Sequence, residues 1–327
     1  MARYLHSIAQ PLTVIATGAS ITPFDLPVNP LSFLLLRLSI TRAVPAAILT
    51  YDAIDELVNA ITGIRVLHKG EQIVQGNLRD LMLLNALYQR ARPGASKLHP
   101  VGAAVDSLVF PLCLGRRPYD PESCFPATSR GNLRFEMDTA VFAASYSALS
   151  FSVETVELID ATPAEYVKYT TQSRVAVVGQ FDAPLPIGNP LLGILLFDTA
   201  IATLNTDVSS WGTVKLLKDN VEQYHPQSDF VTLAGMLAGQ MGSAFVLEAG
   251  HGHKFVDADA LASQTAGASQ VISSMGRGYA YLDYDPLRDA GYQLDTEGAA
   301  DVKIRSTGAS ATAVRYLPIE RVTAQMR

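Results

Sequence analysis

The chain has 327 residues, of which 48% are hydrophobic and only 17% charged, and its formal net charge is −6 at pH 7. This length predicts about two domains, and the composition argues against disorder and against coiled coils, which need many charges on their solvent faces. Since the chain has no general basic footprint, we expect no specific nucleic-acid partner.

Neither a secretory signal nor a membrane span is predicted. Residues 1–18 contain one early arginine and no long apolar stretch. The densest apolar segment, Leu31–Ile40, is interrupted by Arg37 and is about half as long as a spanning helix. The two cysteines, Cys113 and Cys124, could in principle pair, but they form no disulfide framework. We expect free, partly buried thiols in a reducing cytosol.

In chain order, the first half alternates short strands with turns. The strand between residues 149 and 158 shows period-two alternation, and the pattern slips near Thr155-Val156, which predicts a bulge. Two amphipathic helices are expected, over Tyr51–Ile61 and Asn77–Arg90. The strands predicted in this half are 12–17, 33–41, 108–114, 133–137 and 149–158.

The second half has the same character. One helix is predicted from Ser228 or Asp229 to Gln240, and residues 260–274 and 298–313 have the composition of long surface loops. Short strands with Gly, Pro, Asn and Asp turns, without βαβ alternation, predict a sandwich or jelly roll. The strands predicted in this half are 174–181, 193–199, 214–217, 279–284, 302–305 and 313–319.

Several sequence echoes recur in the same order in the two halves. Their spacing is 160, 150 and 165 residues: Asn29-Pro30-Leu31 and Asn189-Pro190-Leu191, the basic strands 64–67 and 214–217, and Tyr119-Asp120-Pro121 and Tyr284-Asp285-Pro286. A period of this size predicts a tandem duplication of a folded domain. We expect domains over 1–162 and 163–327, each mainly β with a short helix. The short connector 160–164 predicts that they pack side by side.

One group of residues has metal-ligand character. His251 and His253, followed by Asp257, resemble the His-x-His and acid of a cupin, which is itself a jelly roll. No histidine follows His253, and the sequence does not show whether His225 could complete the set. An exposed glycine-rich loop explains these residues better, so we expect no metal, no cofactor and no small-molecule substrate.

Other candidate sites have simpler explanations. No hydrolase, zinc-protease or P-loop motif is present, so no catalytic residue is predicted. Arg116-Arg117 and Asp283-Tyr284-Asp285 are interpreted as solvated loops or as ion pairs to a neighbouring subunit. Gly276-Arg277-Gly278 is interpreted as a turn.

Residues 110–137 carry a family resemblance. A strand ending in Phe-Pro-Leu-Cys-Leu-Gly-Arg, a loop with Asp-Pro, then Phe-Pro-Ala and the strand Asn-Leu-Arg-Phe-Glu-Met are similar to the major capsid proteins of tailless, membrane-containing icosahedral bacteriophages of the corticovirus and tectivirus type. The resemblance implies a double jelly roll, that is, two tandem jelly-roll barrels packed side by side, each with a helix.

The resemblance also implies a function. It predicts a major capsid protein that is not an enzyme and that forms pseudo-hexagonal homotrimers in an icosahedral shell, assembled in the host cytoplasm. The implied partners are further copies of the chain, minor capsid and penton proteins, and an internal lipid membrane if one is present. Arg3 and His6 are candidates for the inner end of the molecule.

Two other functions stay open. The first is a bicupin-type metalloenzyme that uses His251, His253 and Asp257. The second is a carbohydrate-binding or spike protein built from two β-sandwiches, which is disfavoured because only 8% of the residues are aromatic and Trp211 is the single tryptophan.

Overall fold

The computed structural model describes residues 3–42, 53–89, 94–95, 105–142, 144, 146–200, 208–241, 276, 278–289 and 291–324. Within these residues the chain forms two compact units, the first from 3–168 together with 323–324, and the second from 169–322. The expected domain boundary between residues 162 and 163 stays a prediction. No described helix is long and apolar enough to cross a membrane.

The first unit contains two antiparallel sheets. Its first sheet has the strand order β1 (Arg3–Ile15), β9 (Tyr146–Ile159), β3 (Leu31–Arg42), β7 (Val105–Cys113) and β6 (Gly94–Ala95). In its second sheet the order is β5 (Glu71–Gly76), β4 (Ile61–His68), β8 (Leu133–Thr139) and β2 (Phe24–Asp25). Two helices, α1 (Ala53–Ala60) and α2 (Leu78–Gln89), complete the described part of this unit.

The second unit repeats this arrangement. Its first sheet contains β11 (Gln172–Val175), β19 (Ala313–Thr323), β13 (Leu191–Asp198) and β17 (Tyr279–Asp283), in that order. Its second sheet contains β15 (Val221–Glu222), β14 (Thr213–Lys218), β18 (Val302–Gly308) and β12 (Gly179–Pro184), and the short β16 (Ser228–Asp229) also pairs with β14. The helix α3 (Phe230–Met241) follows β16, and β10 (Glu165–Thr170) lies at the boundary of the two units in the chain.

The strand order is therefore the same in both units. The order β1-β9-β3-β7 corresponds to β11-β19-β13-β17, and β5-β4-β8-β2 corresponds to β15-β14-β18-β12. Two sheets of four strands in this order form a jelly roll. The predicted fold class, mainly β with two tandem jelly rolls, is confirmed.

The repeated Asn-Pro-Leu sequence marks an equivalent side-chain contact in each unit, which we call the clamp of that unit. Asn29 Nδ2 donates a hydrogen bond of 2.7 Å to Glu157 Oε2, and Asn189 Nδ2 donates one of 2.8 Å to Glu320 Oε2. Both glutamates are almost fully buried, with 3% and 4% of their surface exposed. Because a buried carboxylate needs donors, each asparagine fixes the start of one strand against the end of another.

Backbone contacts beside the clamps repeat as well. Leu31 and Phe125 exchange two backbone hydrogen bonds of 2.9 Å, and Leu191 and Leu294 exchange bonds of 2.8 and 3.0 Å. The carbonyls of Pro30 and Pro190 each accept a bond of 2.8 Å, from the N–H groups of Leu158 and Arg321 respectively. This part of the two jelly rolls is built in the same way.

The Tyr-Asp-Pro echo, in contrast, does not mark equivalent positions. The N–H of Tyr284 donates to the carbonyl of Leu192, whereas the corresponding bond to Ser32 in the first unit comes from Leu114. Tyr119 lies five residues after Leu114 and has a positive φ of 63°. The interpretation of this pair as part of the repeat was wrong.

Four predicted elements differ from the structure. The loop expected over 298–313 contains the strand β18, Val302–Gly308. The loop expected over 260–274 lies outside the described residues. The first strand begins at Arg3 and not at residue 12, because residues 3–8 pair with β9 as an edge strand. Residues 174–181 form no single strand, since β11 pairs with β19 and β12 with β18. The bulge expected in β9 lies in its partner β3, where Ser32 is the extra residue. β9 itself is continuous, and the pattern slips because Thr155 and Val156 are both buried, on opposite faces.

Apolar side chains fill both barrels, and α2 lies within the core of the first. Its side chains from Leu78 and from Leu81 to Leu87 are at most 6% exposed. Asn85 is the polar residue between Leu81 and Leu87, and its Oδ1 accepts a hydrogen bond of 2.9 Å from the N–H of Cys113. Cys113 and Cys124 are both buried and form no disulfide with each other.

A buried carboxylate fixes the chain before β14 in the second unit. Asp198 has no exposed surface, and its Oδ2 accepts hydrogen bonds from Ser209 Oγ at 2.6 Å and from the N–H groups of Ser210 and Trp211 at 2.7 and 3.2 Å. Its Oδ1 accepts a bond of 2.9 Å from the N–H of Ala200. Four donors thus compensate the desolvation of one charge.

Candidate assembly surface

The predicted metal candidates His251, His253 and Asp257 lie outside the described residues. Among the residues that the structure does describe, no group of three or more His, Cys, Asp or Glu side chains could hold a metal ion. His225 lies in the second unit, where its Nδ1 is 3.1 Å from Ser228 Oγ and burial lowers the pKa of its imidazole.

The other candidate residues form ion pairs inside the first unit or inside the second. Arg3 lies 3.8 Å from Asp160, and His6 Nε2 lies 2.7 Å from Glu154 Oε2. Arg116 pairs with Glu165 at 3.4 Å, and Asp283 with Arg288 at 3.7 Å. The expectation that Arg116 and Asp283 lie in solvated loops or pair with a neighbouring subunit was wrong, because both are largely buried with these partners.

The register of the first sheet determines which side chains point to the core. Leu34, Leu36 and Leu38 in β3 are opposite Thr155, Val153 and Phe151 in β9, and all of them are at most 3% exposed. Because side chains alternate along a strand, the residues between them point to the other side of the sheet.

We call this other side the outer face of the first sheet. It is formed by Tyr4, His6, Ile8 and Val14 of β1, Ser150, Ser152, Glu154, Val156 and Leu158 of β9, Phe33, Leu35, Arg37, Ser39 and Thr41 of β3, and Val105, Ser107, Val109, Pro111 and Cys113 of β7. Of these, Arg37, Glu154 and His6 can carry a charge, and the last two pair with each other. The outer face is therefore apolar or small along most of its length.

Large apolar side chains of the outer face are exposed. Tyr4 and Ile8 each keep 67% of their surface accessible and Val14 keeps 70%, while Val105 and Val109 keep 47% and 38%. β1 and the short β6 are the end strands of this sheet among the described residues. The strand predicted over residues 12–17 contains only the end of β1, because the apolar residues of β1 do not alternate regularly around the bulges between Ile8 and Thr13.

An aromatic group lies at one end of the outer face. The ring of Tyr119 is 5.2 Å from that of Phe33 and 5.6 Å from that of Tyr4, both in edge-to-face geometry. The N–H of Tyr119 donates to Ser32 Oγ at 2.9 Å, which helps to hold its positive φ of 63°. A bulky residue in this conformation is uncommon and costs on the order of 1–3 kcal/mol, so the contacts around it must maintain it.

The second sheets of the two units have charged outward faces instead. In the first unit Arg65 pairs with Glu136 at 3.0 Å and also with Asp138. The hydrogen bond from Arg65 holds the pKa of the Asp138 carboxyl below its usual value. In the second unit Arg305 pairs with Asp182 through two bonds of 2.8 and 2.9 Å, and this contact lowers the pKa of Asp182. Such ladders are typical of solvated sheet faces.

The matching face of the first sheet in the second unit is apolar, and its central strands are buried. Leu195 of β13, Leu317 of β19 and Tyr281 of β17 are at most 5% exposed. The guanidinium of Arg315 lies 3.9 Å from the centre of the Phe197 ring, a cation–π contact. In both units the central strands of this face are largely buried, as Phe33 and Val156 show in the first unit. The edge strands are exposed in both, since Val14 of β1 keeps 70% of its surface accessible and Val175 of β11 keeps 71%.

Comparison with known proteins identifies the fold. The chain matches no protein-family model and no curated protein sequence. Among solved structures it is similar to the STIV major capsid protein, with a TM-score of 0.69 and 14% identity over 98% of this chain and 97% of that one. For the major capsid protein P2 of bacteriophage PM2 the TM-score is 0.61, with 11% identity over 99% of both chains.

A third similar structure is the PBCV-1 virus capsid, with a TM-score of 0.61 and 8% identity over 98% of this chain and 94% of that one. At these identities the likeness concerns the fold. The chain has the double jelly-roll fold of major capsid proteins of icosahedral viruses.

Proposed function

We propose that this chain is the major capsid protein of an icosahedral virus. The observation that carries the proposal is the match of nearly the whole chain, from end to end, to major capsid proteins with the same double jelly roll. Fold likeness alone is an associational argument. The sequence resemblance in residues 110–137 adds independent support, because it was found from side-chain pattern and not from strand order.

We propose further that the chain assembles as homotrimers. Three chains with two like barrels each present six near-equivalent lobes, which can tile a hexagonal lattice although the symmetry is only threefold. The low charged fraction of 17% fits extensive contacts between subunits. The barrels would correspond to residues 1–162 and 163–327.

The remaining parts of the proposal concern place and partners. The protein would lie in the virion capsid after assembly in the host cytoplasm, next to minor capsid and penton proteins and to an internal membrane where one is present. Its role would be structural and not enzymatic. Neither the bicupin nor the carbohydrate-binding alternative has a specific observation in its favour among the described residues.

The test uses the purified full-length chain. Light scattering coupled to size exclusion should give three times the mass of one chain, and electron microscopy should show trimers that form hexagonal arrays. A stable monomer at micromolar concentration would contradict the proposal. Metal analysis of the same sample provides the comparison with the bicupin alternative, because that enzyme would hold stoichiometric metal and a coat protein need not.

A further inference from the structure

We infer that the strand segment Arg3–Ile8 of one copy docks on the open edge of β15 in the second unit of another copy. This inference rests on the proposed function, which requires the chain to bind itself. It goes beyond that proposal because it names both sides of one contact. The model for the contact is a strand pair that the first unit already contains.

Residues 165–168 of the first unit show how a strand docks on a jelly roll of this kind. They begin β10, which pairs with β5 at the edge of the second sheet. Lys168 Nζ lies 2.6 Å from Glu71 Oε1, and the N–H of Val167 donates a hydrogen bond of 3.0 Å to the carbonyl of Leu114. The edge of β5 is therefore covered by a strand.

The segment Arg3–Ile8 is the counterpart of β10 in the repeat. Gln10 pairs with Val153 in β9, and Gln172, directly after β10, pairs with Tyr316 in β19. These two partners are 163 residues apart, as are the glutamates of the two clamps. Counting back from the two glutamines, the corresponding residues are Arg3 and Glu165, Tyr4 and Tyr166, Leu5 and Val167, and His6 and Lys168.

The second unit has the docking edge without a strand on it. β15 corresponds to β5, because both follow a two-residue turn with positive φ, Asp219-Asn220 and Lys69-Gly70 respectively. β15 is the end strand of its sheet among the described residues. Val74, four residues after the turn in β5, is fully buried, whereas Tyr224 at the same position in the second unit is 54% exposed.

β1 has an open edge that would fit. It is the end strand of the first sheet in the described part of the chain, and of its 13 residues only Ile15 is buried. Leu5 keeps 47% of its surface accessible, whereas its counterpart Val167 keeps 3%. A long edge strand presents unpaired N–H and C=O groups and readily pairs with another strand. The two open edges, β1 and β15, thus correspond to the partners β10 and β5 of the existing pair.

A buried hydroxyl beside β15 also lacks a partner. Tyr284 takes the place of Leu114 in the second unit, as the backbone bonds described above show. Its ring is 1% exposed and lies 5.5 Å from that of Tyr224, and its hydroxyl has no hydrogen-bond partner among the described residues. Because a buried polar group without a partner is unfavourable, a polar group from a docked strand would explain this position.

The charges on the two sides select the occupant. In the first unit Glu165 lies 3.4 Å from Arg116, in a loop over 114–132 that contains three arginines and two acidic residues. The corresponding loop over 284–301 contains five acidic residues and one arginine, and Arg3 stands at the position of Glu165. Both charges are reversed, so complementarity is kept. An acidic loop disfavours anionic lipid and nucleic acid as alternative occupants.

A second copy is required because β1 and β15 are end strands of separate sheets in one chain. The contact joins the first unit of one copy to the second unit of the next. Such a heterologous contact can close into a ring, as the proposed trimer needs.

The first experiment changes the charges at His6 and Val221, the counterparts of Lys168 and Glu71. It compares His6→Lys/Val221→Glu, which copies the ion pair of the first unit, with His6→Lys/Val221→Lys, which places like charges opposite each other. The matched controls are His6→Lys/Val178→Glu and His6→Lys/Val178→Lys, because Val178 is 71% exposed at the other end of the second sheet of this unit.

Sedimentation equilibrium at physiological salt measures the association, after circular dichroism melts have checked that each variant folds. We expect the trimer with Glu at position 221 to be at least about tenfold tighter than that with Lys, since the charges act at close range across the contact. At position 178 the same exchange should change the association by less than about twofold.

Cross-linking then locates the contact. Because Cys113 and Cys124 are buried, thiols introduced at the surface are the reactive ones. A short bismaleimide should join chains of the His6→Cys/Val221→Cys variant into covalent dimers and trimers. His6→Cys/Val178→Cys should stay at the mass of one chain under the same conditions.

The outcomes are distinguishable. A trimeric wild type overturns this inference, but leaves the capsid proposal standing, if the charge at position 221 has no effect and no chains are joined through positions 6 and 221. A link between these positions within one chain also overturns the inference. A wild type that remains monomeric overturns both. If the uncross-linked trimer floats with phosphatidylglycerol vesicles and Arg3→Glu does not, the segment binds lipid and the inference is wrong.

Discussion

Replacing the asparagine of a clamp tests how much that clamp stabilises its own jelly roll. Asn29→Ala leaves the buried Glu157 with Ser7 Oγ, at 3.1 Å, as a remaining donor, whereas Asn189→Ala removes the bond of 2.8 Å to Glu320. A hydrogen bond to a charged group contributes roughly 1.5–3 kcal/mol. We expect the free energy of unfolding to fall by about 1.5 kcal/mol for Asn29→Ala and by up to about 3 kcal/mol for Asn189→Ala.

Urea unfolding provides the measurement. Trp211 is the single tryptophan of the chain and is fully buried in the second unit, so its fluorescence reports the effect of Asn189→Ala there. Far-UV circular dichroism reports both units. A double-mutant cycle of Asn29→Ala with Glu157→Gln isolates the pair, and its coupling energy should be on the order of 1 kcal/mol.

The control is Gln227→Ala, which removes a carboxamide from an exposed position in the second unit. Surface changes of this kind alter stability by no more than about 0.5 kcal/mol. If Asn29→Ala and Asn189→Ala shift the unfolding midpoint no further than Gln227→Ala, the clamps do not contribute as the buried geometry indicates.

Three further predictions follow from buried polar groups. Asp198→Ala leaves buried N–H groups without acceptors and should cost about 3–5 kcal/mol, with a red shift of Trp211 emission; an unchanged melting temperature would contradict this. Burial lowers the pKa of His225, so this residue stabilises the fold fully above the pKa of an unfolded histidine, about 6.5, and the stabilisation is lost as the pH falls. His225→Gln should therefore flatten the pH dependence of the free energy of unfolding below about pH 6.5, and an unchanged pH profile would contradict this prediction. Burial raises the pKa of Cys124 to about 12, so neither it nor Cys113 should react with iodoacetamide at pH 8 until urea is added, as mass spectrometry would show.

Much of the fold could be predicted from sequence, because residues with one physical role keep recognisable neighbours. Asn29 and Pro30 begin a strand and bind a buried glutamate, and Asn189 and Pro190 do the same. The Tyr-Asp-Pro echo failed because nothing in a tripeptide distinguishes a buried Tyr284 from an exposed Tyr119. Only the hydrogen bonds of Leu114 and Tyr284 show which positions correspond.

The candidate assembly surface was harder to find from sequence. Valine, serine and isoleucine form no ligand-binding or catalytic motif, so a search of the sequence for such motifs does not point to this face. One indication was present in Leu34-Leu35-Leu36, an unbroken apolar run that is typical of strands covered on both sides. Which of these side chains face the core of the barrel follows only from the register of β3 and β9.

The two clamps also fix how the halves of the chain should be aligned. Clamp partners stand 128 residues apart in the first half and 131 in the second, although the loops between them have diverged in length and composition. The two residues of a clamp can stay the same while the loops between them change. If either residue is replaced alone, its buried partner loses a hydrogen bond and the protein loses stability. A search for an Asn-Pro pair followed about 130 residues later by the partner glutamate should therefore find distant relatives with a single jelly roll that a search by overall identity would miss.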